Sequence, residues 1–266
     1  EAALEVCTRE AYPERWATTQ HNLANAYSDR IRGEKAANIE TAIEHFEAAL
    51  EVYTREAYPE QWATTQNNLG NAYRNGIRGE KAANVEAAIE RYEAALEVYT
   101  REAYPEDWAA TQHNLGNAYR NRIRGEKAAN LETAIEHCAA ALEVRTREAY
   151  PEDWAATQMN LGTAYRDRIR GEKAANLETA IERYEAAKEV LTRAAYPEMW
   201  AMTQHNLGIA YGDRIRGERA ASIETAIEHY EAALEVCTRE AYPERWATTQ
   251  HNLANAYSDR IRGEKA

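Results

Sequence analysis

The stretch YPEDWAATQHNLGNAY occupies residues 104–119, and near-copies of it occur at five other places along the chain. The proline that follows the opening tyrosine lies at positions 13, 59, 105, 151, 197 and 243, so the copies are separated by a constant interval of 46 residues. Self-similarity at a fixed period is typical of proteins in which one supersecondary unit is stacked repeatedly. The sequence therefore predicts a repeat architecture.

Each copy of this stretch has the pattern of an amphipathic helix. Pro105 suits the first helical position, because its φ is preset and it lacks an N–H group. The acidic residues that follow complement the positive end of the helix dipole. One helical face carries residues at spacings of four, three and four: Trp108, Gln112, Leu115 and Tyr119. We expect the repeated Gln amides to be partly buried and hydrogen-bonded, since an unpaired buried amide costs about 1–3 kcal/mol.

A second helix is predicted after Asn130, whose short side chain we expect to cap the free N–H groups at the helix start. In the first repeat its apolar face is Ile39, Ile43, Phe46, Leu50 and Tyr53. Gly125, in the turn between the two helices, is expected to adopt the left-handed conformation. Small residues such as Gly70 in the first helix are expected wherever neighbouring helices approach closely. Each period of 46 residues is thus predicted to form one helix pair.

These pairs predict a single repeat array over residues 1–266. Its parts are a partial second helix at 1–10, repeats at 13–58, 59–104, 105–150, 151–196 and 197–242, and a lone first helix at 243–266. Residues 1–36 are identical to residues 231–266, and no polar capping helix is present. Complementary ends of this kind predict head-to-tail self-association as an alternative function, through a heterologous contact. Ends of this kind are equally expected if the sequence is a stretch of a longer repeat array.

Composition and charge narrow the classes of function. The net charge of −12 disfavours binding to nucleic acid and to anionic lipid. We find no signal peptide and no apolar run of membrane length. The three cysteines, Cys7, Cys138 and Cys237, occupy packing positions of the repeat and are ordinary in a reducing compartment. We therefore expect a cytoplasmic chain that binds neither nucleic acid nor membrane.

The sequence contains no catalytic constellation. The histidines fall at two repeat positions, and no two of them are spaced to hold a metal ion on one helix. Paired acids such as Glu40 and Glu44 lie one turn apart on an outward helical face. We predict a protein that is not an enzyme and that needs no metal or other cofactor.

The segment Leu69-Gly70-x-x-Tyr73, followed by Ala88, Tyr92 and Ala95, resembles the tetratricopeptide repeat (TPR). The usual unit has about 34 residues, so this one carries about six extra residues in the inner turn and about six more before the proline. The phrase Trp-Ala-x-Thr-Gln-x-Asn-Leu-Gly-x-Ala-Tyr is similar to the longer repeats of kinesin light chains and bacterial signalling proteins. The resemblance implies an all-α fold, a right-handed superhelical α-solenoid of antiparallel helix pairs, and a scaffold that binds proteins.

In the family that this chain resembles, the first helices line a concave groove. That implies a surface for an extended peptide or a helix. Asparagine amides offer donors and an acceptor to a peptide backbone, and arginines can bind a carboxylate. The predicted binding residues are Asn68, Asn71, Asn114, Asn117, Asn160, Asn206, His113, His205, Arg74, Arg120 and Arg166. Alternatively, the asparagines bond between adjacent first helices and hold the repeats in register. The two interpretations are compatible, and both stand.

Overall fold

The computed structural model describes residues 7–76 and 79–263, with side chains to residue 261, and every regular element in these ranges is a helix. The helices are α1 (Pro13–Ser28), α2 (Lys35–Leu50), α3 (Pro59–Asn75), α4 (Lys81–Leu96), α5 (Pro105–Asn121), α6 (Lys127–Leu142), α7 (Pro151–Asp167), α8 (Lys173–Lys188), α9 (Pro197–Gly212), α10 (Arg219–Leu234) and α11 (Pro243–Gly263). The prediction of an all-α fold built from antiparallel helix pairs with a 46-residue period is confirmed.

The chain forms two compact units, residues 1–130 and residues 131–266, and the division falls within α6. In the first unit, α1 packs against α2, α2 against α3, α3 against α4, and α4 against α5. In the second unit, the same sequential packing runs from α7 to α11. The right-handed superhelix and the repeat boundaries stay predictions.

Each first helix begins at the proline of its repeat, as predicted. Tyr104, which precedes Pro105, has φ −137° and ψ 63°. These angles lie outside the helical region, which is sterically disfavoured for a residue before proline. The carbonyl of Tyr104 nevertheless accepts the first bond of the helix, from the N–H of Trp108 at 2.8 Å. The Tyr-Pro dipeptide therefore fixes the helix start without a side-chain cap.

The predicted start of the second helices was wrong. Helix α6 begins at Lys127, so that Asn130 lies inside its first turn and is buried. The Nδ2 group of Asn130 donates to the carbonyl of Arg124 at 2.8 Å, and Asn176 donates in the same way to the carbonyl of Arg170 at 2.9 Å. The asparagine therefore satisfies acceptors of the connecting turn, where we had expected it to satisfy donors of the helix.

Two glycine positions behave differently. Gly125 has φ +79°, which confirms its predicted left-handed conformation. Gly70 is helical, and a Cβ atom there would lie 2.6 Å from Cε1 of Tyr92 on the paired second helix. The tyrosine ring is fully buried and its hydroxyl donates to Asn71 Oδ1 at 2.9 Å. The predicted close approach is confirmed in a stricter form, because this ring leaves no space even for a methyl group.

The repeated glutamines are buried, as predicted, except for Gln250 on α11, which is exposed. Two of the buried ones are closely hydrogen-bonded to the second helix of the same repeat. Gln20 Oε1 lies 2.5 Å from His45 Nδ1, and Gln204 Oε1 lies 2.6 Å from His229 Nδ1. Gln158 is the exception, since its Oε1 atom is buried without a hydrogen-bond partner in the part of the chain that the structure describes. The prediction of buried, hydrogen-bonded amides therefore holds for Gln20 and Gln204, fails for the Oε1 atom of Gln158, and fails in burial for Gln250.

The partial second helix predicted at 1–10 lies outside the described residues for positions 1–6. From Cys7 onward the chain forms a turn, not a helix. The N–H of Tyr12 donates to the carbonyl of Thr8 at 2.9 Å, and the same bond joins Tyr58 to Thr54 at 2.9 Å. This turn therefore leads into the first helix in both places, and the predicted helix extended too far.

Candidate functional site

All eleven residues predicted to form the binding surface lie on first helices, and their side chains are half-buried. None of them belongs to the closed core, and none projects freely into solvent. In the first unit they are Asn68, Asn71, Arg74, His113, Asn114, Asn117 and Arg120, and in the second unit they are Asn160, Arg166, His205 and Asn206.

Two of these asparagines bridge neighbouring first helices in the first unit. Asn68 on α3 donates from Nδ2 to Oδ1 of Asn25 on α1 at 3.3 Å. Asn114 on α5 donates from Nδ2 to Oδ1 of Asn67 on α3 at 3.4 Å. These bonds are long, and each amide has further donor and acceptor capacity. The register-holding interpretation therefore has direct support, and ligand binding by the same residues stays a prediction.

The histidine position next to these asparagines forms shorter bridges. His21 Nδ1 lies 2.9 Å from Thr65 Oγ1 on the following first helix, and His205 Nδ1 lies 2.8 Å from Thr249 Oγ1. The threonine partners were not among the predicted site residues, although every copy carries an unvarying threonine at this position. The buried members of that series are Thr65, Thr111, Thr157, Thr203 and Thr249.

His205 is held in its neutral form. Burial lowers the pKa of His205, and the nearby positive charge of Arg166 lowers it further. The ring also makes an edge contact with Tyr230, with 5.8 Å between the ring centroids. At neutral pH this histidine therefore offers a hydrogen-bonding group and not a positive charge.

A position that the sequence analysis treated only as packing lies in the crevices between consecutive first helices. Tyr53 lines a crevice of ≈ 280 Å³ between α1 and α3, and its hydroxyl lies 2.7 Å from Thr18 Oγ1. Cys237 lines the corresponding crevice of ≈ 300 Å³ between α9 and α11, together with Met202. Burial raises the pKa of the Cys237 thiol. The two crevices therefore differ in chemistry although their frames are the same.

The same position carries a buried charge in the second unit. Arg145 is 7% exposed, and its Nη2 atom lies 3.3 Å from Oδ1 of Asp153 on α7. Its Nη1 atom also donates to Thr157 Oγ1 at 3.4 Å. One repeat later the position is Leu191, which packs with Met159 in an apolar cluster. A single repeat position thus presents a phenol, a guanidinium, an aliphatic chain or a thiol.

The arginines of the inner turns are engaged in ion pairs. Arg168 donates from Nε and Nη2 to the two carboxylate oxygens of Glu132 at 2.9 and 2.6 Å. The guanidinium also lies over the Tyr165 ring, 5.6 Å from its centroid. The hydrogen bond from Arg168 holds the pKa of Glu132 below its usual range. These arginines therefore join repeats and are distinct from the predicted binding residue Arg166, which contacts Asp167 at 3.0 Å.

Two further observations concern metals and membranes. Within residues 7–76 and 79–263, no group of three or more His, Cys, Asp or Glu side chains is arranged to hold a metal ion. Over the same residues, no helix combines the length and apolar character needed to cross a bilayer.

Part of the chain matches a known family. Residues 1–113 match the family model described as soluble NSF attachment protein, SNAP. The match agrees with TPR-like helical repeats in that part of the chain, whereas the closer likeness to kinesin light chains stays a prediction. No curated protein matches the chain.

Proposed function

We propose that this chain is a non-enzymatic scaffold that binds an extended peptide or a helix of a protein partner in a concave groove lined by the first helices. One observation carries the proposal: within the first helices, the side chains that differ most between repeats lie at spacings of three, three, four and three, which is one helical face. We call this face the variable stripe. In α3 it is Gln61, Thr64, Asn67, Asn71 and Arg74, and in α9 it is Met199, Met202, His205, Ile209 and Gly212.

Exposure alone does not account for this variation. The second helices carry an outward glutamate that is exposed in every repeat and never changes. The variable stripe is mostly half-buried, yet its residues range from amide to thioether to guanidinium. Differences that gather on one face of an otherwise constant first helix are what a scaffold needs in order to present distinct side chains to a partner. The constant glutamates are Glu44, Glu90, Glu136, Glu182 and Glu228.

The chemistry of the stripe supports a polypeptide ligand. Amides can pair with a peptide backbone, a guanidinium can bind a carboxylate, and methionine adapts to apolar side chains. The matching family model is named for an attachment protein, which also supports a protein partner.

A displayed peptide library selected on the full chain would supply ligands for a direct test. We expect the double variant Asn68→Ala with Asn114→Ala, both in the first unit, to bind a selected peptide about tenfold more weakly, because each lost hydrogen bond contributes roughly 0.5–1.5 kcal/mol. The matched control is Glu90→Gln with Glu136→Gln on the outward face, for which affinity should not change. Unchanged affinity and unchanged peptide preference in the asparagine variant would exclude an amide role in binding.

Head-to-tail self-association is a second candidate function, favoured by the surface of α11. Its residues Ala247, Gln250 and Ala254 are exposed, whereas the equivalent residues of α9, Ala201, Gln204 and Gly208, are buried. A second copy that packed on this face would bury the same positions. Light scattering over about two orders of magnitude in concentration tests this, since self-association makes the mass rise with concentration. A constant monomer mass would refute it.

A further inference from the structure

A cavity of ≈ 410 Å³ lies between α3, the start of α4 and α5 in the first unit. Two cations and two amides line it, and no acidic side chain is among its described lining residues. We call it the cationic cavity. Its polar residues are Arg74, Lys81, Asn84 and Asn121, with Gly76 and Ala118 in the wall.

The two cations of this cavity are not neutralised by the described part of the chain. Neither Arg74 nor Lys81 forms an ion pair with a residue in 7–76 or 79–263. In the second unit, the residue equivalent to Lys81 is Lys173, and its Nζ donates to the carbonyl of Arg166 at 2.7 Å. Lys81 forms no such bond to the carbonyl of Arg74. With respect to the described residues, its ammonium group therefore keeps its donors for a ligand.

A later repeat of the second unit shows how the same position is neutralised elsewhere. Arg219 occupies the place of Lys81, and its Nη2 atom lies 3.1 Å from Oδ2 of Asp259. Asp259 in turn occupies the place of Asn121. The first unit therefore has an amide where this repeat has the neutralising carboxylate. The Asn121 amide is held in place, since its Nδ2 donates to the carbonyl of Asn117 at 3.0 Å.

We propose that the cationic cavity binds the carboxylate of a glutamate or aspartate residue in the bound peptide, with the Arg74 guanidinium and the Lys81 ammonium as its partners. The proposal rests on the proposed function and adds the chemistry of one ligand residue. Charge complementarity supports it, because a carboxylate in this place would supply what Asp259 supplies to Arg219. With a net charge of −12 over the whole chain, attraction of an anion has to be local.

The test uses fluorescein-labelled hexaglutamate as the probe, hexaglutamine as its neutral match, and fluorescence polarisation with the full chain. Hexaglutamate should bind saturably and more weakly as salt is added, and hexaglutamine should not bind. The variant Asn121→Asp should weaken hexaglutamate binding about tenfold, because it recreates the pair seen between Arg219 and Asp259. Lys81→Ala should have an effect of similar size.

A matched control removes the same charge elsewhere. Lys127 is equivalent to Lys81, but its Nζ donates to the carbonyl of Arg120 at 2.5 Å. Lys127→Ala should therefore leave hexaglutamate binding unchanged. Equal affinities for wild type, Asn121→Asp and Lys81→Ala would overturn the proposal, as would the absence of saturable binding. Stronger displacement of the probe by inorganic phosphate than by acetate would overturn the assignment to a carboxylate.

Failure here is distinguishable from failure of the proposed function. Library peptides that bind through Asn68 and Asn114, contain no acidic residue and tolerate Asn121→Asp would overturn only this inference. A chain that selects no peptide at all would overturn the scaffold function itself.

Discussion

The guanidinium of Arg122 donates two hydrogen bonds to the carboxylate of Glu86, from Nε to Oε1 at 2.8 Å and from Nη2 to Oε2 at 2.6 Å. The pair joins the end of α5 to α4, and the guanidinium also lies over the Tyr119 ring. In the second unit the same geometry joins Arg168 to Glu132 and Arg214 to Glu178. A partly buried, bidentate ion pair therefore recurs where the first helix of one repeat meets the second helix of the repeat before it.

The variant Arg168→Ala should lower the free energy of unfolding by about 1 kcal/mol, since a partly shielded bidentate pair and its contact with Tyr165 are lost. Urea unfolding followed by circular dichroism measures this. The control is Arg216→Ala, because the pair of Arg216 with Glu172 is mostly exposed and its N–O distance is 3.4 Å. Equal losses in the two variants would show that the bidentate geometry adds nothing.

These ion pairs also predict how the free energy of unfolding depends on pH in the acidic range. Hydrogen bonds from arginine lower the pKa values of Glu86, Glu132 and Glu178 below the ordinary 4.5. The stability that these ion pairs contribute is therefore fully present above the pKa of the glutamates in the unfolded chain. It is lost as the pH falls through their lower pKa values in the folded chain. Urea midpoints measured from neutral pH downward should fall less steeply in Arg168→Ala than in wild type below that unfolded value. Parallel curves would contradict the assignment.

His229 predicts a second dependence at higher pH. Burial, with help from Lys188, lowers the pKa of His229 to about 4, from an ordinary value of 6.5. Between these values the unfolded chain binds a proton that the folded chain does not, so stability is lost as the pH falls below 6.5. His229→Arg, which copies Arg91 and Arg183 of other repeats, should show a flatter profile from neutral pH to about pH 5. A profile identical to that of wild type would contradict a buried neutral histidine.

Gly70→Ala should destabilise the first unit by about 1–3 kcal/mol, because the added methyl group would overlap the Tyr92 ring. The first repeat instead pairs Ala24 with Phe46. The double variant Gly70→Ala with Tyr92→Phe should therefore recover part of the loss, since the ring is released from its bond to Asn71. Thermal unfolding of both variants checks this, and a double variant less stable than Gly70→Ala would contradict it.

The helices could be predicted from sequence because their determinants are local, whereas contacts between repeats could not. Pro105 and Tyr104 fix a helix start through backbone sterics alone. The role of Asn130 was misassigned because its side chain can serve a turn carbonyl as readily as a helix N–H. The bond between His21 and Thr65 depends on how neighbouring first helices pack, and the unvarying threonine marks a constrained position without identifying its partner.

Ligand binding depends equally on packing between repeats, which is why the candidate surface stays a prediction. The half-buried state of the asparagines agrees with either of their two interpretations. The crevice residues Tyr53 and Cys237 were seen only as core variants, because their sequence position does not show that a crevice lies above them.

Exchanging the variable stripe between repeats is the sharpest test of whether this face selects the peptide. The stripe of α9 would be replaced by that of α3, as Met199→Gln, Met202→Thr, His205→Asn, Ile209→Asn and Gly212→Arg. The matched control is Glu182→Gln with Glu228→Gln on the constant outward face. Peptide-library selection on each protein is the measurement. We expect a changed peptide consensus for the stripe variant and the wild-type consensus for the control. The same consensus from all three proteins would contradict peptide selection by the variable stripe.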